Sequence, residues 1–359
     1  MSTVAAPARR IPVAVLGATG AVGQMFIRLL AAHPWFEIAE LAASERSAGR
    51  RYSEAAHWIG SDEIPVAVRD MTVLSCDPAK LSAPLVFSAL DAAVARDVEA
   101  AFANAGRLVL SNAKSFRMDE DVPLVIPEVN ADHLALLDVQ RQRRRWPGAI
   151  VTNANCSSIV AVMALAPLHR AFGITRMFVS TMQAVSGAGY PGVASLDILG
   201  NVIPFIKDEE AKIQTEILKM LGRFDDGRVQ PADIRISAHA NRVPVENGHT
   251  ICMSLDFARE VTPEQATTVL REWDGDAACR SLPSAPPRAV FVTEEPDRPQ
   301  PRRDVDRGAG MTVTVGRVRP DPIFSLKLVV VGHNTVRGAA GASVLNAELL
   351  VATGRAGIA

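Results

Sequence analysis

The sequence predicts an α/β protein in two parts, a mostly parallel sheet with interleaved helices followed by an α+β part with a mixed or antiparallel sheet. Three observations lead there. Up to residue 155, short apolar runs alternate with segments of helical period. The first of those runs opens directly into a glycine turn. Beyond Cys156 the texture changes to strand-like runs with few helices between them.

Ile11 to Leu16 is a short apolar run, read as a buried strand. Gly17-Ala18-Thr19-Gly20-Ala21-Val22-Gly23 follows, and Gln24 to Ala32 carries helical periodicity. Strand, glycine turn and helix form the context of a Rossmann-like dinucleotide site, although the spacing is GxxGxxG rather than GxGxxG. Such a turn lets backbone N–H groups approach a pyrophosphate at a helix N-terminus. A turn serving only close helix packing is the competing reading.

Phe36 to Ala43 is the second strand, and Ser44-Glu45-Arg46-Ser47-Ala48-Gly49-Arg50-Arg51 follows it. Folds that prefer NAD usually place an acid here, on the ribose 2′-OH. Serines and arginines suit a 2′-phosphate instead, which favours NADP; Glu45 is expected to point away. Pro84 to Leu90 and Leu108 to Lys114 are further strands around a helix near Ala92 to Ala105. Both end in small or polar residues, at the carboxyl edge where open sheets bind ligands. Leu124 to Asn130 closes this part, and Asp132 to Arg145 reads as a helix capped by the Asn130–Asp132 region.

Ala149 to Thr152 reads as a strand end, Asn153-Ala154-Asn155-Cys156-Ser157-Ser158 as a polar turn, and Ile159 to Leu165 as a helix. This order places the Cys156 sulfur at or near a helix N-terminus. There the N–H groups and the helix dipole favour the thiolate, and the same N–H groups could hold a developing oxyanion. Taken alone, Cys156 is more simply an inert core cysteine.

Thr175 to Ala184 alternates as a strand does, and Val185 to Gly192 is a glycine-rich loop. Pro204 to Glu216 enters a helix that runs to Leu221. Strands are expected at Ile234 to Ala240, Thr250 to Phe257, Ala289 to Thr293, Met311 to Val318 and Ile323 to Val331. Thr262 caps a helix to Trp273 with Pro263 at its first position. Glu294 to Arg307 is a loop, and Gly338 to Leu350 is an apolar helix that returns to the first domain. The expected domains are 1–155, completed by 338–359, and 156–337.

Composition narrows the function. The 359 residues are 48% hydrophobic and 21% charged with a net charge of −1, so no global field draws nucleic acid or an anionic membrane. Cys76, Cys156, Cys252 and Cys279 form no CxxC pair, which argues against structural zinc and a disulfide framework and fits a reducing compartment. The seven histidines show no HxH or HExxH spacing, so no metal is expected. No apolar run reaches the roughly 18 residues of a membrane span. A cytoplasmic protein is expected, with Met1 to Arg10 as a loose tail.

A thiol nucleophile needs a base, a substrate anchor and a hydride partner. His249, in Glu246-Asn247-Gly248-His249-Thr250, could move protons near neutral pH. Arg242 could hold a carboxylate with two prongs, and Gln183 ends its strand before the glycine loop. As isolated residues, His249 reads as structural and Arg242 as a member of a surface ion pair.

Taken together these blocks resemble the aspartate-β-semialdehyde dehydrogenase family of the archaeal and fungal type. The resemblance runs through Gly17 to Gly23, Ser111 to Lys114, Val122 to Asn130, Asn153 to Ser158, Ser180 to Gly189, Asn201 to Glu216, Asn241 to Thr250 and Gly332 to Gly341, nearly the whole chain in order. It implies a fold like that of glyceraldehyde-3-phosphate dehydrogenase, with a catalytic and dimerisation domain after the nucleotide domain. It implies NADPH-dependent reductive dephosphorylation of L-aspartyl 4-phosphate to L-aspartate 4-semialdehyde through a cysteine thioester, in threonine, methionine, isoleucine and lysine biosynthesis.

Residue by residue, the resemblance implies Cys156 as nucleophile, His249 as general acid/base and Gln183 as the residue that orients substrate. Arg242 takes the α-carboxylate, Glu209 the α-amino group and Lys212 the phosphate, a task shared with Lys114 or Arg117. Asn155 also belongs to the substrate side. Gly20, Ala21 and Val22 meet the pyrophosphate with Thr19 nearby and Gly17 also on the cofactor side, while Ser44, Arg46 and Ser47 hold the 2′-phosphate. Ser88, Gly187 and Asn334 complete the cofactor side, the last two flanking the nicotinamide. The apolar residues around Ala194 to Leu221 suggest a homodimer or homotetramer. A malonyl- or succinyl-CoA reductase on the same scaffold is the nearest alternative. N-acetyl-glutamyl phosphate reductase matches the Gln183 loop and Arg242 block less well, and a non-catalytic NADP-binding regulator would not need Cys156 and His249.

Overall fold

The computed structural model describes residues 6–357. Six parallel strands build the first sheet: β1 (Ile11–Leu16), β2 (Phe36–Ala43), β3 (Val73–Ser75), β4 (Leu85–Ser88), β5 (Leu108–Ser111) and β6 (Ala149–Thr152). Their order is β3-β2-β1-β4-β5-β6, so the chain reverses direction across the sheet between β1 and β4. A crevice opens at the carboxyl ends of strands at such a reversal, which is where ligands bind in open α/β sheets. Every residue of β4, β5 and β6 is buried, because helices cover both faces and each strand can be apolar throughout. The helices Ala21–Leu30 and Ala92–Asn104 stand at the places the apolar periodicity predicts.

The second sheet is mixed. It contains β7 (Ile174–Gln183), β10 (Arg235–Arg242), β11 (His249–Phe257), β12 (Val290–Val292), β13 (Val313–Pro320) and β14 (Leu326–Gly332), in the order β10-β7-β11-β14-β13-β12. A separate hairpin joins β8 (Arg223–Asp225) to β9 (Arg228–Gln230). Burial alternates along β7 and β11, as a sheet with one covered face requires. The cover is the Cys156–Phe172 helix, whose residues Ser157 to Leu168 are all buried. It ends at Gly173, whose φ of +71° closes the last turn with a hydrogen bond back to the His169 carbonyl. The Cys156–Phe172 helix therefore starts at the edge of the first sheet and lies in the core of the second part.

The chain then returns. Val336–Ala340 forms a π-turn, and the Gly341–Ala352 helix buries Val344, Leu345, Leu349 and Leu350 in the first core, as expected. Residues 358–359 of the expected C-terminal segment lie outside the described residues, as do residues 1–5 of the expected tail. Thr262 caps the Pro263–Glu272 helix through a full capping box with Gln265.

Several expectations differ. Asn130 does not cap the following helix; its side chain bonds Ile126 N–H and the Leu124 carbonyl and so closes its own turn. Leu124 makes only a single bridge to Thr152, and Pro127–Asn130 is helical. Pro301–Asp304 forms a short helix inside the expected loop, held by Asp304, which accepts from Gln300 N–H. No helix among the described residues is long and apolar enough to cross a membrane. Among the described residues there is also no cluster of three side chains suited to a metal.

Candidate active site

Asn155 is the N-cap of the Cys156–Phe172 helix and Cys156 its first residue, where the turn-then-helix pattern predicts it. Asn155 Oδ1 accepts from the N–H groups of Ser157 and Ser158 at 3.0 and 3.1 Å. Those two donors therefore serve the cap. A Cβ on Gly338 would lie 2.6 Å from Cys156 Cβ, so only glycine lets the π-turn close over the nucleophile.

His249, the first residue of β11, follows Gly248 in a left-handed turn with a φ of +99°. Its Nε2 stands 3.1 Å from Cys156 Sγ. Ala184 N–H donates to Nδ1 at 3.1 Å, which places the proton on Nε2, facing the sulfur. Burial pushes His249 down to about 3 and, with the Glu209 charge nearby, pushes the Cys156 thiol up to about 12. The resting pair is thus neutral. The thiolate expected from the helix N-terminus is overridden by burial of both groups. Alkylation of Cys156 by iodoacetamide in the free enzyme should therefore rise steadily from about pH 6 to about pH 9, close to tenfold per unit. A rate flat across that range would reveal a preformed thiolate–imidazolium pair.

Gln183 and Arg242 end the neighbouring strands β7 and β10 directly opposite one another. Arg242 Nη1 donates to the Ala184 carbonyl at 2.7 Å. Gly187 passes so close above them that a Cβ would sit 2.9 Å from Arg242 Nη1 and 3.0 Å from His249 Cε1. Glu209 Oε1 accepts from Asn155 Nδ2 at 2.8 Å and from Gln183 Nε2 at 3.0 Å, and its Oε2 pairs with Lys212 at 3.1 Å. Burial alone would raise the Glu209 carboxyl, but Lys212 and these hydrogen bonds outweigh it and hold the group below the usual carboxylate range. Asn334 ties the loop to the histidine turn, accepting from Gly248 N–H at 2.9 Å and donating to Ser186 at 2.8 Å. Arg117 pairs with Glu216 at 3.0 Å, and Lys114 pairs with Asp208 at the surface at 2.8 Å.

The structure thus gathers Cys156, His249, Gln183, Arg242, Glu209, Lys212, Asn155, Gly187 and Asn334 into one connected network, with Arg117 close enough for its charge to reach Cys156. Sequence reading missed Glu216, Lys219 and Gly338. The only signal for the first two was their spacing from Glu209, at positions i+7 and i+10 on one helix face.

The nucleotide side lies at the other end of the crevice. Gly17 has a φ of +70°, and a Cβ there would stand 2.6 Å from the Ala89 carbonyl. A Cβ on Gly23 would stand 2.2 Å from the Gly17 carbonyl, while one on Gly20 would make only ordinary contact with it, at 3.5 Å. Gly20 is the N-cap of the Ala21–Leu30 helix, with no side-chain cap and no acid in the first turn. The N–H groups from Ala21 and Val22 onward are thus left for an anion, and the turn fits a pyrophosphate. Thr19 offers its carbonyl to Gln24, which also clamps the backbone of His57 and Ile59. Ser44 and Arg46 are exposed beyond β2, and Ser47 is buried in the same turn. Ser88 is different: its hydroxyl is fully buried and donates to Glu99 at 2.6 Å. Across the crevice, His57 stacks on Tyr190 with ring centroids 4.9 Å apart.

A parallel sheet with a glycine turn, opening onto a half-buried cysteine paired with a buried histidine and ringed by cations, defines a nucleotide-linked dehydrogenase that works through a covalent thioester. Family models agree with this class: "Semialdehyde dehydrogenase, NAD binding domain" matches residues 12–137, and "Semialdehyde dehydrogenase, dimerisation domain" matches residues 165–337. The aspartate-semialdehyde dehydrogenase of Archaeoglobus fulgidus is 53% identical over 95% of this chain and 98% of its own length. That of Schizosaccharomyces pombe is 47% identical over 95% and 98%. The crystal structure of the Candida albicans aspartate semialdehyde dehydrogenase with NADP superposes with a TM-score of 0.89 at 43% identity, covering 97% of this chain and all of that one. The chain belongs to the aspartate-semialdehyde dehydrogenase family.

Proposed function

We propose that the chain catalyses the NADPH-dependent reductive dephosphorylation of L-aspartyl 4-phosphate to L-aspartate 4-semialdehyde. The observation that carries this reading is the 3.1 Å approach of Cys156 Sγ to His249 Nε2, inside a ring that offers both an amino-group acid and carboxylate and phosphate cations. Family membership supports the substrate.

The roles follow from what each side chain can do. Arg242 holds the α-carboxylate and Glu209, kept ionised by Lys212, takes the α-ammonium. Lys212 and Arg117 meet the phosphate. These charged ends set the acyl carbon at near-attack distance from sulfur, roughly 3–3.5 Å. The thiol keeps its proton until substrate fills the site, because the free pair is neutral, and the proton then leaves on the departing phosphate. Cys156 then displaces phosphate and forms the thioester, while Gln183 orients the carbonyl. NADPH, when bound, supplies the hydride that reduces the thioester carbon. His249, already placed as donor, shares its Nε2 proton with the developing alkoxide and recovers it as the alkoxide collapses to the aldehyde. The sulfur departs as thiolate, which regains a proton from solvent, and the aldehyde is released. Gly17, Thr19, Gly20, Ala21 and Val22 serve the pyrophosphate and Ser44, Arg46 and Ser47 the 2′-phosphate. Gly187 and Asn334 border the nicotinamide.

The domains in this reading are 1–155, completed by 338–359, and 156–337. The enzyme is a cytoplasmic homodimer or homotetramer. Tyr190, Leu196, Leu199, Val202 and Phe205 form an exposed apolar stretch that supports self-association. Light scattering on the purified protein tests this, and a monomer at micromolar concentration would refute it.

The reaction is tested by incubating the protein with aspartate semialdehyde, inorganic phosphate and NADP. Phosphate-dependent NADP reduction is expected, much weaker with NAD. Absence of any phosphate dependence would overturn the reading.

A further inference from the structure

Helix Glu209–Met220 carries three buried ionisable side chains besides Lys212, and the reaction as derived uses only Glu209. Glu216 is 2% exposed. Its Oε2 accepts from the backbone N–H of Asn155, the residue before the nucleophile, at 2.6 Å. Its Oε1 accepts from Arg117 Nη1 at 3.0 Å. One carboxylate thus holds two separate parts of the site, 61 and 99 residues away along the chain.

Arg117 is arranged to receive something more. Nη2 donates to the Asn112 carbonyl at 2.7 Å, but its Nε is buried with no acceptor among the described residues. The backbone around it is fixed independently. Lys219, one turn beyond Glu216, donates to the carbonyls of Arg117, Asp119 and Val122 at 2.7, 2.8 and 2.8 Å. The loop is therefore pinned by Lys219, and the guanidinium is aimed by Glu216.

We propose that Glu216 is a positioning residue that couples the nucleophile turn to the anion site: the same carboxylate seats Asn155, and so Cys156, and aims the Arg117 guanidinium at the leaving phosphate. An anion that draws on Arg117 changes the share of the carboxylate left for the Asn155 N–H. Phosphate arrival is then felt at the sulfur through one shared side chain. This rests on the reading of Arg117 as part of the phosphate site.

Glu216→Gln tests it, because an amide offers one acceptor where two donors converge and sets its own N–H against the other. The probe is inactivation of Cys156 by iodoacetamide, with and without inorganic phosphate, in the absence of substrate and cofactor. Two changes are expected together. The phosphate-free alkylation rate shifts by threefold or more, and the phosphate concentration giving half protection rises about tenfold, in line with loss of a charge-assisted contact. In turnover, kcat should fall about 10²-fold, the scale of a misplacement near 1 Å, with a raised KM for phosphate. NADP affinity, read by fluorescence, should stay within about twofold, because the glycine turn lies in the other sheet.

Both alkylation readouts unchanged would overturn the proposal. So would a change in only one of them, since coupling requires both. If Glu216→Gln does not fold, Glu216→Asp is judged by the same two readouts, its shorter side chain being unable to span both donors. A wild-type enzyme with no phosphate-dependent turnover would remove the functional reading, while alkylation would still decide the role of Glu216.

Discussion

Cys156→Ala should lower phosphate-dependent turnover by about 10⁴-fold or more, the scale seen when a covalent nucleophile is deleted. Among the described residues no other nucleophilic side chain pairs with His249 Nε2. The remaining cysteines, Cys76, Cys252 and Cys279, lie outside the network built around His249. The fold should tolerate the change, since Cys156 caps nothing and the helix is started by Asn155. Binding of NADP measured by fluorescence is expected to persist. Mass spectrometry of the wild type treated with acyl donor, without reductant, should show the adduct on this residue. Turnover within tenfold of wild type in the alanine variant would remove Cys156 as nucleophile.

His249→Ala should cost between about 10² and 10⁴ in kcat, the range for a positioned acid/base. Its imidazole also accepts the Ala184 N–H, so the variant loses stability too. Leaving that buried N–H without an acceptor costs about 1–3 kcal/mol. The two effects separate experimentally. A urea titration reads the second, and steady-state kinetics at a temperature where the variant is folded read the first. The histidine's own titration adds a pH signature. Its folded value lies far below the unfolded one, so the stabilisation from burying it neutral is complete above about pH 6.5 and is lost as pH falls toward about 3. The variant should therefore lose less stability than the wild type over that acid range. Equal acid sensitivity would place the titration elsewhere.

Much of this site was legible because its signals are local. A glycine triplet between strand and helix can be read from seven residues, and a cysteine after Asn155 can be placed by the cap that precedes it. Arg242 and His249 were legible as types, but only packing places them beside the sulfur. Glu216 was not legible, because its partners are Asn155 and Arg117, distant in sequence and brought in by the docking of a helix. Gly338 looked like one glycine among several in an apolar helix; its necessity appears only with Cys156 against it. Ser88 was read from its place at the end of a strand on the ligand edge. The alternation of side chains along β4 turns it toward Glu99, and no short pattern reveals which face a fully apolar strand presents. The segments Tyr52–Ala55, Val66–Arg69 and β3 escaped because they are too short to show a period.

The wall over the nucleophile has a consequence for synthesis. Cys156 Cβ is covered by Gly338, and Asn153 Nδ2 is held by the Ala339 carbonyl at 3.0 Å, both from the stretch that leads into the final helix. A polypeptide still emerging from the ribosome can complete both sheets and yet carry an uncovered thiol. Competence therefore arrives late, when the Gly341–Ala352 helix docks and shuts the back of the chamber, and a half-made chain cannot consume acyl phosphate.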